Sequence, residues 1–152
     1  MDTVLREIEV NQWRKNQFGS AADLEEMATA DAIPSSRKAV ARAARTLVQD
    51  LQLQGMLVPT RSGVTASILS SVRPASPLLG LSSNVATCRK LALHWGVVPA
   101  QISEVVAKDW KKLAREICQR CKLTRTGHRV LLVSGFNDNP GLSEPVLKIL
   151  TV

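Results

Sequence analysis

The sequence has 152 residues, of which 45% are hydrophobic and 3% are aromatic, and its formal net charge is +7. This length and composition predict one globular domain with a sizeable core and exclude an intrinsically disordered chain. The sequence has no apolar run near the roughly 18 residues of a spanning helix and no signal-peptide pattern at its N-terminus. We therefore expect no membrane partner and a cytoplasmic location, with the plastid stroma as the alternative.

The positive charge is confined to one part of the chain. Residues 1–35 hold three basic and seven acidic side chains, whereas residues 36–152 hold 17 basic and six acidic ones. A basic segment is one mark of nucleic-acid binding, but these cations are scattered over several predicted helices, and no tyrosine accompanies them. We predict a solvated helix surface with a local anion site and no nucleic-acid partner; a basic nucleic-acid binder is the third alternative.

The cysteines and histidines do not form a recognisable site. Cys88, Cys118 and Cys121 are odd in number, which argues against a disulfide framework. Cys118 and Cys121 form a C-x-x-C on a predicted helix without a second ligand pair, and His94 and His128 have no metal-like spacing. We therefore predict reduced thiols, no metal site and no cofactor in this chain.

Hydrophobic periodicity predicts an N-terminal helix, a polar linker and then helices that alternate with strands. The helix and linker cover residues 1–35 and precede a domain over residues 36–152. The expected helices cover residues 1–14, 37–54, 64–72, 85–94 and 105–121. The expected strands cover residues 56–59, 78–81, 97–102, 129–134 and 146–151.

This alternation predicts the arrangement of the sheet. Right-handed crossovers give a mainly parallel sheet with helices on both faces. The last connection contains no helix, so the fifth strand is expected to pair antiparallel at an edge. Ligands of such folds bind at the carboxyl ends of the strands. The turn over residues 60–65 and the loop over residues 135–145 both lie at that edge.

The turn over residues 60–65 has the composition of an anion receptor. Thr60, Ser62 and Thr65 contribute hydroxyl groups, and Arg61 contributes a cation. Gly63 lets the backbone approach a ligand closely, and the first N–H groups of the following helix have no partner inside the helix. Together with the positive end of the helix dipole, they favour a phosphate or carboxylate. The alternative is an ordinary helix cap that binds nothing.

Three stretches in this order resemble the C-terminal domain of pyruvate kinase. They are TRSGVTA at residues 60–66, RPASPLLGL at residues 73–81 with the following Asn84, Thr87 and Arg89, and LALHWGVVP at residues 91–99. The stretch GHRVLLVSG at residues 127–135 is similar to the family's strand and effector loop. The resemblance covers residues 36–152, and the stretches are specific through their combined spacing.

The resemblance implies a three-layer α/β/α sandwich with a five-stranded, mostly parallel sheet in the order 3-2-1-4-5, the last strand being antiparallel. In the family this domain carries the allosteric site, takes part in a homotetramer and follows a catalytic barrel. Residues 1–14 resemble the last helix of that barrel. The implied function is regulation and oligomerisation of a pyruvate kinase, the glycolytic enzyme that converts phosphoenolpyruvate and ADP to pyruvate and ATP. The alternative is a free-standing structural or dimerising α/β module with no effector and no catalysis.

The resemblance also implies the effector site, with a phosphorylated sugar or AMP as the expected effector. The implied effector-binding residues are Thr60, Arg61, Ser62, Gly63, Thr65, Gly135 and Gly141. Val64 stands where the family usually has an arginine, and residues 136–141 lack the Trp-Arg pair of bisphosphate-regulated members. A monophosphate is therefore expected rather than fructose 1,6-bisphosphate.

The chain shows no catalytic constellation of its own. It has no P-loop, no Ser-His-Asp set and no paired acids in a predicted pocket. The resemblance places the Mg²⁺ and K⁺ sites and the catalytic lysine of the full enzyme in the barrel, outside these residues. We therefore expect no catalytic residue within this chain.

Overall fold

The computed structural model describes residues 2–14, 36–103, 109–122, 127–136 and 143–152. The helices are α1 (Asp2–Arg14), α2 (Ser36–Asp50), α3 (Val64–Ser71), α4 (Val85–Leu91) and α5 (Trp110–Arg120). The strands are β1 (Met56–Pro59), β2 (Leu78–Ser82), β3 (Val97–Gln101), β4 (Arg129–Ser134) and β5 (Val146–Thr151). The predicted linker over residues 15–35, the start of the predicted helix over residues 105–121 and Gly141 lie outside the described residues.

The strands agree closely with the sequence-based prediction, and the differences lie at the helix ends. α2 ends at Asp50 rather than at residue 54 because Gln52 has a left-handed φ of 49°. The Leu53 N–H then donates to the Val48 C=O at 2.9 Å, as in a Schellman motif. α4 ends at Leu91 rather than at residue 94 because the N–H groups of Leu93 and His94 bond to the carbonyl three residues back instead of four.

The five strands form one sheet in the order β3-β2-β1-β4-β5. β1 pairs in parallel with both β2 and β4, and β2 pairs in parallel with β3. β5 pairs antiparallel with β4 along the full length of both strands. The predicted strand order and the antiparallel edge strand are therefore confirmed.

Helices cover both faces of the sheet, with a hydrophobic core on each side. On one face, α2, α3 and α4 pack against alternate strand residues such as Met56 and Val58. On the other face, α5 packs against the intervening residues, such as Leu57. Burial on both faces explains why the inner strands β1, β2 and β4 are nearly continuous apolar runs, as in other parallel sheets. The predicted three-layer α/β/α sandwich is therefore confirmed.

The carboxyl ends of the parallel strands form one edge of the domain, where several helices begin. α3 and α4 start shortly after β1 and β2 end. α2 precedes β1 and is joined to its amino end by residues 51–55, so the first turn of α2 lies back at the carboxyl edge. Three helix N-termini on the same face of the sheet thus meet the loops that follow β1, β2 and β4.

α1 has apolar side chains that are exposed in the structure. They belong to Val4, Ile8 and Val10. Val4 and Ile8 are one helical turn apart and therefore lie on the same side of α1. Among the described residues, no helix is long and apolar enough to cross a membrane.

Candidate anion-binding site

The β1–α3 turn (residues 60–65) is shaped by hydrogen bonds of Thr60. The Thr60 N–H donates to the Leu81 C=O of β2 at 2.8 Å, and the Thr60 Oγ1 accepts the Gly63 N–H at 2.9 Å. Gly63 has a φ of +91°, in the left-handed region that favours glycine. Thr60 is only 6% exposed, so it supports the turn from within the fold.

The first turn of α3 leaves backbone donors unpaired. The Ser67 N–H donates to the Gly63 C=O at 3.0 Å, which is the first bond of the helix. No side chain caps α3, and its first turn holds no acidic residue. Within the described residues, the N–H groups of Val64, Thr65 and Ala66 therefore have no hydrogen-bond partner.

A residue of α4 fixes the peptide group between Arg61 and Ser62. The Thr87 hydroxyl donates to the Arg61 C=O at 2.8 Å. In a planar trans peptide, the C=O and the following N–H point in opposite directions. The Ser62 N–H is therefore directed away from Thr87. Thr87 could be singled out from the sequence only through the family resemblance, because no local pattern reveals a contact between residues 26 positions apart.

The structure brings five of the predicted site residues together in this turn. Arg61 and Ser62 are exposed, and Thr65 is half-buried. Thr60 and Gly63 are buried. The side chains that an approaching anion meets are therefore those of Arg61, Ser62 and Thr65, next to the unpaired N–H groups of α3.

Gly135 lies at the same sheet edge, directly after β4. It has a φ of +86°, and its C=O accepts the Glu144 N–H at 2.9 Å. A Cβ on Gly135 would overlap the Glu144 C=O. Close backbone packing thus accounts for this glycine without a ligand, and Gly141, the other predicted residue of the loop, lies outside the described residues.

Beside the turn, α2, α3 and the residue after β4 converge on a shallow crevice that is too narrow to hold a water molecule. The lining residues are Arg37, Ala41, Thr65, Ile68, Leu69 and Phe136. The Arg37 guanidinium carbon lies 6.0 Å from the centroid of the Phe136 ring. Arg37 was not among the residues predicted for the site. The available signal was a cation in the first turn of a predicted helix, where the dipole disfavours positive charge.

Metal binding has no support in the part of the chain that the structure describes. No group of three or more His, Cys, Asp or Glu side chains there could hold a metal ion. Cys118 is buried, while Cys88 and Cys121 are half-buried, and all three are free thiols. The location of the Mg²⁺ and K⁺ sites in another part of a longer protein stays a prediction.

Known proteins are similar in sequence to this domain. Residues 38–149 match the model of the family described as pyruvate kinase, alpha/beta domain. This range begins in the first turn of α2 and ends within β5, so it includes the β1–α3 turn and part or all of every strand. α1 lies outside the matched range.

Individual relatives are pyruvate kinases from bacteria and plants. The chain is 32% identical over 107 residues to a pyruvate kinase from Agrobacterium vitis, covering 70% of this chain and 22% of that protein. It is 31% identical over 108 residues to a pyruvate kinase from Methylorubrum extorquens, covering 67% and 22%. It is 27% identical over 104 residues to the chloroplastic pyruvate kinase isozyme A from Nicotiana tabacum, covering 66% and 17%.

The chain spans about a fifth of the length of the curated relatives it matches. The aligned part is the parallel sheet and the helices that cover it, and the strand order is the one that the resemblance implies. The chain therefore belongs to the pyruvate kinase family, as its C-terminal alpha/beta domain.

Proposed function

We propose that this chain is the regulatory and oligomerisation domain of a pyruvate kinase, and that its β1–α3 turn binds the phosphate of a metabolite effector. The observation that carries the proposal is the set of three N–H groups at the start of α3 that lack partners among the described residues. The exposed Arg61 and Ser62 lie in the same turn. Free N–H groups at the positive end of a helix dipole favour an anion.

The residues of the turn favour a ligand with a single phosphate. Arg61 is the one cation among residues 60–65, and the neutral Val64 occupies the first position of α3. A second phosphate would need a second set of charged donors, which this turn does not contain. The effector is accordingly a phosphorylated sugar or AMP.

A thermal-shift measurement tests effector binding. Glucose 6-phosphate or AMP at 100 times its Kd should stabilise the fold by about 2.7 kcal/mol, which raises Tm by roughly 5–10 °C for a domain of this size. Ser62→Asp places a like charge beside the phosphate and should abolish the shift. Because Ser62 is exposed, the Tm of the unliganded variant should change little.

Ser103→Asp is the control for this substitution, because it makes the same chemical change at an exposed position after β3, about 10 Å along the sheet edge from the turn. It should leave the ligand-induced shift intact. Retained binding in Ser62→Asp would place the site elsewhere. A folded sample that responds to no sugar monophosphate and not to AMP would refute the effector proposal.

The full-length protein is proposed to convert phosphoenolpyruvate and ADP to pyruvate and ATP, with Mg²⁺ and K⁺ in a catalytic barrel that precedes this domain. The support is the similarity to pyruvate kinases of which this chain spans about a fifth. Sequencing the transcript upstream of the codon for Met1 tests this. An in-frame barrel sequence supports it, and a stop codon in place of one contradicts it. The chloroplastic relatives favour testing a plastid location together with a cytoplasmic one.

β5 is the proposed oligomerisation edge. Its outer side has no partner strand among the described residues. The Val152 N–H donates to the His128 C=O at 2.9 Å. By the two-residue alternation of an antiparallel ladder, the backbone groups of Leu147, Ile149 and Thr151 face away from β4. A second copy that adds its own β5 here satisfies these groups and covers Ile149, which is 43% exposed.

The opposite edge of the sheet, formed by β3, is poorly suited to pairing. The Ile102 N–H donates to the Ser82 C=O, and the Leu78 N–H donates to the Gly96 C=O. Even-numbered residues near β3 therefore face β2, and Pro99 faces outward. Proline has no N–H, so the outer row of donors is interrupted there.

The second candidate function is a structural, dimerising module that binds no effector. The β5 edge favours it, because strand pairing does not depend on the β1–α3 turn. A dimer or tetramer in sedimentation, together with no thermal shift for any phosphorylated metabolite, is the combination expected of this candidate.

A further inference from the structure

Two large apolar side chains are exposed in the α4–β3 turn (residues 92–96). Leu93 is 87% exposed, the most of any large apolar side chain among the described residues, and Trp95 is 38% exposed. The turn lies at the amino edge of the sheet, because the Gly96 C=O accepts the Leu78 N–H at the start of β2. Leu93 belongs to neither hydrophobic core of the described residues. Stability of the fold therefore does not explain a leucine at this position.

Contacts from the end of α3 hold the α4–β3 turn in place. The Ser70 hydroxyl donates to the Trp95 C=O at 2.7 Å. The Arg73 guanidinium carbon lies 5.9 Å from the centroid of the Trp95 ring, within the range of a cation–π contact. A surface that is already fixed loses little conformational entropy when a partner binds. Tryptophan and arginine are also among the residue types that carry most of the binding energy of protein interfaces.

The surroundings of the α4–β3 turn are positively charged. Residues 51–103, which contain α3, α4 and the first three strands, include four basic residues and no Asp or Glu. The Leu93 N–H donates to the Lys90 C=O at 3.1 Å in a 3₁₀-type turn, so the two side chains lie on the same side. Lys90 and Arg73 are exposed. Each of the two apolar side chains is therefore next to an exposed cation, and the partner that complements this surface is acidic.

We propose that the α4–β3 turn is a docking surface for a protein partner that contributes an acidic amphipathic helix. Such a helix presents an apolar stripe with carboxylates along its sides. Leu93 and Trp95 contact the stripe, and Lys90 and Arg73 contact the carboxylates. The surface lies at the opposite end of the strands from the β1–α3 turn and at the opposite side of the sheet from β5. The inference therefore depends neither on effector binding nor on pairing of β5.

An anionic membrane fits the α4–β3 turn less well than an acidic protein does. Basic segments that bind anionic lipid contain clusters of about four to eight Lys or Arg. Only Lys90 and Arg73 border the two apolar side chains, and Arg89 is the one further cation of α4. The Trp95 ring is already in contact with Arg73, so it is not free to enter the lipid. Two apolar side chains and two cations match the size of a helix face.

Fluorescence anisotropy of a labelled model peptide tests the apolar contact with the 152-residue chain. The probe is a synthetic helix of about 18 residues with leucine along one side and glutamate along the other. Leu93→Ser should weaken its binding at least about tenfold, because burial of an exposed leucine is lost. Val85→Ser is the matched control. It removes another exposed apolar side chain of α4, about 12 Å away along the helix, and should change the affinity less than about twofold.

Lys90→Gln tests the electrostatic contact separately. It should weaken the acidic peptide about two- to fivefold at low salt, the scale of one exposed ion pair, and the difference should shrink as salt is added. Lys148→Gln is the control, because it removes an exposed cation from β5 at the far edge of the sheet. It should leave the affinity unchanged. The same peptide with lysine in place of every glutamate should bind the wild-type chain at least about tenfold more weakly than the acidic peptide.

Several results would overturn the docking surface. They are no binding of the acidic peptide to the wild-type chain, equal affinities of Leu93→Ser and Val85→Ser, and equal affinities for the acidic and the basic peptide. Leu93-dependent binding to vesicles of phosphatidylcholine with about a third phosphatidylserine, tighter than binding to the peptide, would assign the surface to lipid instead. A Leu93→Ser variant that sediments as a smaller species than the wild-type chain would assign it to a second copy. Because Leu93 is exposed, the variant should keep the wild-type urea denaturation curve.

Discussion

Two buried threonines from different elements hold the β1–α3 turn. The Thr60 hydroxyl accepts the Gly63 N–H, and the Thr87 hydroxyl holds the Arg61 C=O from α4. The exposed Ser62 is therefore presented by a backbone that is already fixed. A fixed turn pays less conformational entropy when a ligand binds, so these threonines should act on affinity without touching the ligand.

Substitution of Thr87 separates support of the turn from general stability. Thr87→Val should lower the free energy of unfolding by about 1 kcal/mol, because the Arg61 C=O loses its donor. Thr87→Ser should lower it by a similar amount, about 0.8 kcal/mol, because a buried methyl group is lost. Only the valine variant should also bind inorganic phosphate more weakly. Urea denaturation and calorimetric titration measure the two effects, and equal phosphate affinities would contradict this role of Thr87.

Alanine substitutions at Gly135 and Gly127 can be compared to test close backbone packing at Gly135. Their φ angles are +86° and +90°, so alanine introduces strain of about 1–2 kcal/mol at either position. Only at Gly135 does a Cβ overlap backbone atoms, those of Glu144, whereas at Gly127 it meets nothing within 4 Å. Gly135→Ala should therefore be less stable than Gly127→Ala by at least about 1 kcal/mol. Similar urea midpoints and slopes for the two variants would show that the loop after β4 shifts to accept the added Cβ, and would contradict this prediction.

Individual roles at the candidate site could be predicted only in part. Ser62 and Arg61 are adjacent to a strand end and a helix start, so their place at the sheet edge follows from the local pattern. The supporting contact of Thr87 and the position of Arg37 depend on how α4 and α2 pack against α3. Such packing is not encoded in any short stretch, which is why sequence reasoning missed both.

At the level of elements, strands were easier to predict than helix ends. β1, β4 and β5 have the predicted bounds, because each is an apolar run limited by glycine, proline or polar residues. The end of α2 was wrong, since the apolar pattern continues through Leu51 and Leu53 while Gln52 adopts a left-handed conformation. Periodicity identifies the buried side of a helix but does not locate its last hydrogen bond.

The proposed pairing of β5 can be tested with proline. The N–H of Ile149 faces the outer edge, so Ile149→Pro removes a donor there and leaves the bonds between β4 and β5 in place. This variant should sediment as a smaller species than the wild-type chain while keeping its circular dichroism spectrum. Ile149→Ala removes the exposed side chain but keeps the N–H, and it should associate more strongly than the proline variant. A wild-type chain that sediments as a monomer would rule out association through β5.

The domain should fold without its N-terminal helix. The described residues of both hydrophobic cores lie within positions 40–152, and Val4, Ile8 and Val10 of α1 are exposed. Deletion of residues 1–35 should therefore change Tm by less than about 2 °C, because little apolar surface is lost from the core. Differential scanning calorimetry of the two chains measures this. A fall of 5 °C or more would mean that the deleted segment packs against the domain and would contradict its separation at residue 36.

The overall architecture could be predicted by two different routes. The alternation of helices and strands was sufficient to predict a mainly parallel sheet with an antiparallel last strand, because chain connectivity leaves few other arrangements. The exact order of the strands came from the resemblance, since alternation alone permits more than one winding. The crevice beside Phe136 was not predictable by either route, because it arises where α2, α3 and the residue after β4 converge.

Pro99 has a consequence for the number of molecules that one sheet can join. A sheet whose two edge strands can both pair with another molecule adds further copies at each edge and grows into a fibre. In this domain the β3 edge carries the ring nitrogen of Pro99 where a hydrogen-bond donor would be needed. The proposed pairing through β5 would therefore give a closed, twofold-symmetric pair with one continuous sheet rather than a fibre.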